Sequence, residues 1–338
     1  MKIKLLNIYI IFFCFLSITS IDVSTVEELH KALAKARAGQ IILIAPGIYD
    51  CNEYENHYKF ELNASGTKSS PITLTAQDPE DPPILKGPNI ANDIVLHIKG
   101  SYWVIDNIKL ENSGRGIVID GGGSYNIIRN VEISRVGNKA AQIRDGATHN
   151  LFQNCYIHNT GKSNELFGEA FDIGRAISET FEYNYASDYN IIEGCIFKDI
   201  SSAHFNIREL TTGNEIVNNI FYGDGMNGKN GAKTFMIISG SDCNIHGNVF
   251  FRDGNKNITS AFQIKKLVEE SGDGNKFVNN ILFMDRPYGE IDTKKRMYIV
   301  DGENAKFSVK NNKVDYGEGL IDAKGEEFYN SDSVTYLE

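Results

Sequence analysis

Apolar and polar residues alternate along residues 101–302 in a two-strand pattern that repeats imperfectly. The first strand of each repeat follows or begins at an Asn or Cys, at 126–133, 150–157, 190–197, 214–221, 243–250 and 275–282. The second strand has an apolar residue two positions before an isoleucine, at 116–120, 140–144, 170–174, 204–208, 234–238, 261–265 and 296–300. Alternation of this period is typical of half-buried β-strands, so the pattern predicts an all-β chain.

Repeats of this kind predict a solenoid in which successive units stack. A single unit has too little apolar surface to fold alone, and stacking buries a continuous core. We expect one isoleucine ladder and one ladder of the apolar residues two positions earlier to point inward. In the 234–238 unit these inward residues are Phe235 and Ile237, which places Met236 and Ile238 on the outer face.

Two further columns contain asparagine and cysteine. Asn219, Asn248 and Asn280 share one column, where an asparagine ladder can satisfy the backbone groups of successive turns. Cys155 and Cys195 fall at the same position of successive units, close enough in a stacked solenoid to form a disulfide. Two free thiols in a buried ladder are the alternative, and the sequence leaves both open.

Residues 1–20 have the pattern of a signal peptide. Lys2 and Lys4 precede an apolar run at 5–16, and small residues at 17–20 offer cleavage before Ile21. The apolar run is short for a membrane-spanning helix. We therefore expect a secreted protein with a single elongated domain at 21–325 and a polar, mobile tail at 326–338.

A helix is predicted at 24–38, directly before the first apolar strand. Either Ser24 with Glu27 or Thr25 with Glu28 can form a capping box at its start. A helix at this place can cover the open end of a solenoid, which would otherwise expose core and strand edges.

Polar and charged residues occupy the outward positions of the second strands in the central repeats. They are Gln142, Arg144, Asp172, Asn206, Arg208, Gln263 and Lys265, with Arg175 and Glu209 just beyond the strands. Two long segments at 161–170 and 223–233 lie directly before this face and can wall a groove. Such a face suits an extended anionic sugar chain, although any soluble solenoid also needs a polar outer surface.

The charge balance and the missing motifs exclude several functions. The formal net charge of −10 makes the chain a poor candidate for binding nucleic acid. The sequence has no P-loop, Gly-x-Ser-x-Gly or His-Glu-x-x-His motif. It also has no Asp-Asp pair of the kind expected in a β-helix polysaccharide hydrolase. The expected partner is an acidic polysaccharide, with no membrane contact after signal cleavage, and we expect a monomer.

Three segments carry a resemblance to a known group of proteins: GEAFDIGR at 168–175, NxIEGxIF at 190–197 and TTGNEIVNN at 211–219. Over about 150–282 the chain resembles the pectate-lyase-like superfamily, and more narrowly the secreted lyases of the chondroitinase B and alginate lyase type. The resemblance implies a right-handed parallel β-helix with an N-terminal capping helix. It also implies cleavage of an acidic polysaccharide by β-elimination at uronic acid units.

β-Elimination needs a cation that neutralises the uronate carboxylate and a base that removes the C5 proton. The resemblance places the base lysine of the family near Arg208, and we predict Arg208 and Lys265 as base or charge neutraliser. The predicted substrate-binding residues are Arg144, Gln142, Arg175, Asn206 and Gln263. A calcium ion could be held by Glu169, Asp172 and Glu209.

Two alternatives to a lyase remain open from the sequence. The first is a non-catalytic glycan-binding or cell-surface β-helix whose outer face only docks sugar. The second is a uronan C5-epimerase, which shares the proton abstraction with a lyase.

Overall fold

The structure is a computed structural model that describes residues 19–177, 184–229, 233–269, 271–284, 296–301, 305–315, 319–323 and 335–336. In these segments the chain winds into a right-handed parallel β-helix of three sheets, as predicted. The part described has no helix of the length and apolar character needed to cross a membrane.

Most coils contribute one strand to each of three sheets, which we call sheets 1, 2 and 3. Sheet 1 consists of Thr19–Val23, Gln40–Ile44, Ile72–Ala76, Trp103–Asp106, Ile127–Arg129, Leu151–Gln153, Ile191–Glu193, Glu215–Val217, Asn244–His246, Asn275–Val278, Lys306–Lys310 and Thr335–Tyr336. Sheet 2 consists of Ile48–Asp50, Ile84–Lys86, Lys109–Ser113, Glu132–Val136, Tyr156–His158, Ile196–Lys198, Ile220–Tyr222, Val249–Phe251, Ile281–Phe283, Lys313–Asp315 and Leu320–Asp322. Sheet 3 consists of Tyr58–Leu62, Ile94–Ile98, Arg115–Ile119, Ala141–Ile143, Phe171–Ile173, Phe205–Ile207, Thr234–Ile238, Ser260–Lys265 and Arg296–Asp301. Neighbouring strands pair in parallel, except that Leu320–Asp322 runs antiparallel to Lys313–Asp315.

The repeating unit has three strands, so the predicted two-strand unit was wrong. The predicted first strand is divided between sheets 1 and 2 by a tight turn in its middle. A residue of that turn adopts a positive φ, for example 53° at Asn130, 63° at Gly194 and 55° at Asn218. Asn and Gly tolerate this left-handed conformation better than other residues, which explains their recurrence in the motif.

Helix α1 (Val26–Ala34) closes the N-terminal end of the solenoid. It packs against Thr19–Val23 and Tyr58–Leu62, which are the first strands of sheets 1 and 3. Thr25 Oγ1 accepts a hydrogen bond from the Glu28 backbone N–H at 3.2 Å, as the second predicted capping box requires. The Glu28 carboxylate, however, accepts at 2.8 Å from the N–H of Ser24, one residue before Thr25. The capping helix is therefore confirmed, although it is shorter than the predicted 24–38.

The inward ladders of sheet 3 follow the predicted alternation in most coils, but two coils differ. Phe205 pairs with Met236, and Phe262 pairs with Tyr298, so the inward positions lie one residue later than predicted there. Met236 and Ile238 are fully buried, whereas Ile237 lies on the outer face. The sequence Thr-Phe-Met-Ile-Ile has almost no polar residue to distinguish its two faces, which is why alternation failed.

Two columns of buried asparagines run along the turns on either side of sheet 1. In the first, the Asn126 backbone N–H donates to Asn150 Oδ1 at 3.1 Å, and Asn150 and Asn190 repeat the contact to the next coil at 3.0 Å. In the second, which was predicted, the Asn219 N–H donates to Asn248 Oδ1 and the Asn248 N–H to Asn280 Oδ1. Each ladder asparagine satisfies a backbone donor at a buried turn of the preceding coil.

Cysteines occupy three positions of these asparagine columns. Cys155 and Cys195 are free and buried, so the disulfide considered for them is not formed. Instead, the Cys155 N–H donates to Cys195 Sγ at 3.3 Å, and the Cys195 N–H donates to Asn219 Oδ1 at 2.8 Å. The Cys195 sulfur therefore takes the place of an asparagine oxygen. It points at the backbone N–H of Cys155 in the preceding coil. Cys243 likewise stands in the first column, between Asn214 and Asn275.

The described coils share one continuous core cluster. Most of the predicted signal peptide lies outside the described residues, and Thr19 and Ser20 already belong to the first strand of sheet 1. In the predicted tail, Thr335–Tyr336 pairs with Lys306–Lys310, whereas the rest of 326–338 lies outside the described residues.

Candidate functional site

The predicted polar face is the outer surface of sheet 3. Register pairing places Gln142, Asp172, Asn206, Ile237 and Gln263 in one row across successive coils. We call this the inner row. A second row two residues later contains Arg144, Gly174, Arg208, Ser239 and Lys265, which we call the outer row. Stacked strands repeat at about 4.8 Å, so both rows run along the solenoid axis at that spacing.

Asp172 is the centre of a buried charge cluster on this face. Its side chain is 3 % exposed, and Lys139 Nζ bonds to its Oδ2 while Arg208 Nε donates to its Oδ1 at 2.7 Å. Gln142 Nε2 adds a weaker contact to Oδ2 at 3.3 Å. Burial opposes the ionisation of Asp172, but Lys139 and Arg208 outweigh it and hold the pKa of this carboxyl below its usual range.

Arg208 is held by this carboxylate through one edge of its guanidinium group. Burial would lower the pKa of Arg208, but the adjacent Asp172 carboxylate more than offsets it and raises that pKa. The side chain is 22 % exposed, and among the described residues Asp172 is its only hydrogen-bond partner. Arg208 is therefore a permanent cation whose two terminal nitrogens are available to a ligand, which fits charge neutralisation and does not fit a base.

Arg144 is instead saturated by contacts within the protein. Its Nη2 lies 3.1 Å from Asp120 Oδ2, and its Nη1 donates to Gln142 Oε1 at 3.2 Å. Asp120 also contacts the fully buried His97, with 2.8 Å between Oδ1 and Nε2. Burial opposes the ionisation of Asp120, but His97 and Arg144 lower its pKa. Arg144 thus orients Gln142 and has little capacity left for a substrate carboxylate.

The remaining predicted substrate-binding residues lie at the margins of the cluster. Both Arg175 Nε and Arg175 Nη2 bond to Asp145, the second at 2.6 Å, in a bidentate pair. Asn206 follows Asp172 in the inner row, and Gln263 lies two coils further on. Lys265 shares the outer row with Arg208, and its amine has no hydrogen-bond partner in the described part of the chain.

The three carboxylates predicted to hold calcium are not grouped as a metal site in the described residues. Glu169 and Glu209 are buried, but both oxygens of Asp172 are already engaged by cations. Across the segments that the structure describes, no three His, Cys, Asp or Glu side chains are grouped to hold a metal ion. Burial raises the pKa of Glu169, and its Oε2 has no hydrogen-bond partner. Calcium binding stays a prediction to which this geometry adds no support.

The two long segments that precede sheet 3 are joined to each other. Lys229 Nζ bonds to Glu165 Oε1, and Asn227 Nδ2 donates to the Glu165 carbonyl at 2.8 Å. Ser201 Oγ donates to the same carbonyl at 3.1 Å. The segments at 161–170 and 223–229 therefore form a connected rim along the edge of sheet 3, as expected for the wall of a groove.

Sequence reasoning missed Lys139 and Arg115, which both belong to the cluster. They precede the inward residues Ala141 and Ile117 by two positions, and Glu169 holds the equivalent position before Phe171. A third row, which consists of Arg115, Lys139 and Glu169, thus lies beside the two predicted ones. Regular alternation would assign these three residues to the inward face, because each lies two positions from an inward residue, so the pattern gave no signal for this row.

Comparison with known proteins assigns the chain to a recognised type of β-helix. The family model described as "Pel9A-like, right handed beta helix region" matches residues 19–235. An alginate lyase from Paenibacillus sp. str. FPU-7 is 28% identical with a TM-score of 0.80, over 95% of this chain and 98% of that one. Pectate lyase Pel9A is 16% identical with a TM-score of 0.58, over 88% of this chain and 73% of that one. A search of curated proteins gave no significant match.

The same fold also occurs with a different chemistry. A lacto-N-biosidase from Eubacterium ramulus is 10% identical with a TM-score of 0.62, over 94% of this chain and 68% of that one. At this identity, and at that of Pel9A, the likeness shows the fold alone. Any assignment of activity must therefore come from the site on sheet 3.

Proposed function

We propose that this chain, which belongs to the Pel9A-like family of right-handed β-helix proteins, cleaves an acidic polysaccharide by β-elimination at uronic acid units. The observation that carries the proposal is Arg208, whose Nε is fixed by the buried Asp172 while its terminal nitrogens have no partner among the described residues. The similarity to an alginate lyase over nearly all of both chains supports an acidic polymer as the substrate.

In this proposal Arg208 binds the carboxylate of the uronic acid that is cleaved. A guanidinium group pairs with a carboxylate through two parallel hydrogen bonds, and the positive charge stabilises the negative charge that develops when C5 loses its proton. Because Asp172, which is also bonded to Lys139, holds the guanidinium in place beforehand, little reorganisation is needed as that charge develops.

Lys265 is the proposed base. It lies two coils from Arg208 in the outer row, about 10 Å along the axis, a distance that two long side chains can bridge over Ser239. Its amine takes the C5 proton, the C5–H electrons form the C4–C5 double bond, and the C4–oxygen bond to the neighbouring sugar breaks. Solvent supplies the proton to the departing oxygen.

A direct assay tests the proposal. The protein is incubated with alginate, pectate and glycosaminoglycans, with calcium or with a chelator, and the ultraviolet absorbance of the unsaturated uronate is followed. We expect a rise with at least one uronan, and the Arg208→Gln variant should abolish it. Arg129→Gln, which removes an equal charge from the outer face of sheet 1, is the matched control and should retain the activity.

The same assay separates the alternatives. Binding of a uronan with no absorbance rise on any polymer would refute the lyase and favour a glycan-binding protein. Exchange of the C5 hydrogen with solvent deuterium, again without a rise, would indicate a C5-epimerase.

We also propose that the protein acts outside the cell. The support is the sequence of residues 1–20, with Lys2 and Lys4 before an apolar run. Expression in a secreting host and sequencing of the exported chain should give Ile21 as the first residue, and retention of an uncleaved chain in the cells would refute the proposal.

A further inference from the structure

Arg115 is a cation without a counter-ion on the outer face of sheet 3. It begins the strand Arg115–Ile119 and is partly exposed, and its Nε is buried with no hydrogen-bond partner. Among the described residues no carboxylate forms an ion pair with it. A buried guanidinium nitrogen left without an acceptor is costly, so this group is ready for an anion.

The nearby carboxylates are occupied by other cations. Asp120 is bonded to Arg144 and His97, and Asp172 is bonded to Lys139 and Arg208. The Arg115 pKa is lowered first by burial and then by the positive charge of Arg144. A negative charge bound beside the guanidinium would oppose both effects, so an acidic ligand would stabilise Arg115 in its charged form.

The position of Arg115 relates it to the proposed reaction centre. Register pairing leads from Arg115 through Lys139 and Glu169 to the coil that carries Arg208, a separation of three coils. At the spacing of stacked strands this is about 14 Å along the axis. A ligand must therefore be several sugars long to reach both arginines.

We infer that Arg115 binds the carboxylate of a second uronic acid unit in the same polymer, on the side of Arg208 that faces the N-terminal end of the solenoid. This inference rests on the proposed use of sheet 3 as a uronan-binding face. It adds a subsite that does not take part in the chemistry and that makes long chains better ligands than short ones. A planar carboxylate is the preferred anion because a guanidinium group binds it through two parallel hydrogen bonds.

The test compares Arg115→Gln with the wild type by calorimetric titration and by kinetics. Ligands are alginate, pectate, their carboxyl-reduced forms and the corresponding uronic acid disaccharides. We expect Arg115→Gln to weaken the binding of the preferred polymer about tenfold and to raise its KM with little change in kcat. Disaccharide affinity should stay unchanged, since a disaccharide cannot span both arginines, and the carboxyl-reduced polymer should not distinguish the two proteins.

Two further variants control for charge and for folding. Arg129→Gln removes the same charge from sheet 1 and should bind the polymer as the wild type does. Arg115→Lys keeps the charge but loses the bidentate geometry, so it should restore part of the affinity. Circular dichroism and thermal melting identify any variant that has failed to fold.

The outcomes separate this inference from the proposed function. Suppose that the wild type releases unsaturated uronate and that folded Arg115→Gln binds the same polymer as tightly as the wild type does. The subsite inference is then overturned and the lyase stands. If no polymer yields unsaturated uronate but Arg115→Gln still binds one of them about tenfold more weakly, the lyase is overturned and the subsite stands.

Discussion

Replacing Cys243 with asparagine should stabilise the protein by completing the first asparagine ladder. The ladder runs unbroken to Asn214, whose Nδ2 is buried and has no hydrogen-bond partner. In the preceding coils that nitrogen donates to the Oδ1 of the next asparagine, for example from Asn190 to Asn214 at 3.1 Å. Cys243 lacks this oxygen, so the donor of Asn214 is left unsatisfied.

The size of the effect follows from the contacts that change. An unsatisfied buried donor costs about 1–3 kcal/mol, and a typical net hydrogen bond contributes about 1 kcal/mol. An asparagine at 243 would give Asn214 Nδ2 its acceptor, and its own Nδ2 would reach Asn275 Oδ1, which already accepts from the Cys243 N–H at 2.9 Å. Cysteine and asparagine are similar in size, so we expect a net gain of about 1–2 kcal/mol.

Thermal and urea unfolding of the wild type and of Cys243→Asn measure this gain. For a chain of this size about 1 kcal/mol corresponds to roughly 2 °C in Tm, so we expect a rise of about 2–4 °C. Cys195→Asn is the matched control, because the same replacement in the second ladder relieves no unsatisfied donor and should change Tm less. Equal or lower stability of Cys243→Asn relative to this control would refute the ladder argument.

Further predictions concern the charge cluster and the thiols. Asp172→Asn leaves Lys139 and Arg208 without their anion, and urea unfolding should show a loss of about 3 kcal/mol. The folded-state pKa of Asp172 is depressed, so its contribution to folding stability is present above the unfolded pKa of about 4 and is lost as the pH falls through the folded pKa. The difference in Tm between wild type and Asp172→Asn should therefore shrink upon acidification. The raised pKa of Glu169 acts in the opposite sense: the stability that it contributes is present below the unfolded pKa of about 4.3 and is lost as the pH rises through the folded pKa. In melting experiments, Glu169→Gln should therefore gain stability relative to wild type as the pH is raised from acidic to neutral. Alkylation of the denatured protein without reductant, followed by mass spectrometry, should label Cys155 and Cys195 in full, whereas a disulfide would leave both unlabelled.

The sequence predicted the fold well because the fold depends on local repetition. Alternating apolar residues, the recurring asparagines and the capping pattern around Thr25 each report a contact that is repeated or close in sequence. The three-strand coil was missed because its extra turn leaves only a subtle trace, an Asn or Gly with positive φ inside an apparently continuous strand. The register of Thr234–Ile238 was missed because apolar residues on both faces remove the period of two.

The site was predicted in position but not in its contacts. Alternation placed Gln142, Asp172 and Arg208 correctly on the outer face of sheet 3. It could not show that Lys139, from the preceding coil, folds over to neutralise Asp172, because the partners of long side chains depend on three-dimensional reach. The same limit concealed that Arg144 is occupied and that Arg115 has no counter-ion.

The parallel pairing of strands in successive coils also sets the order in which this protein can form. A new coil needs only the preceding coil as its template, so residues far apart in the chain never have to meet before folding proceeds. Helix α1 and the strand Thr19–Val23 provide the first template, and they are also the first of the described residues to leave the ribosome. The solenoid can therefore grow during synthesis, with each new strand covering the edge left open by the one before it.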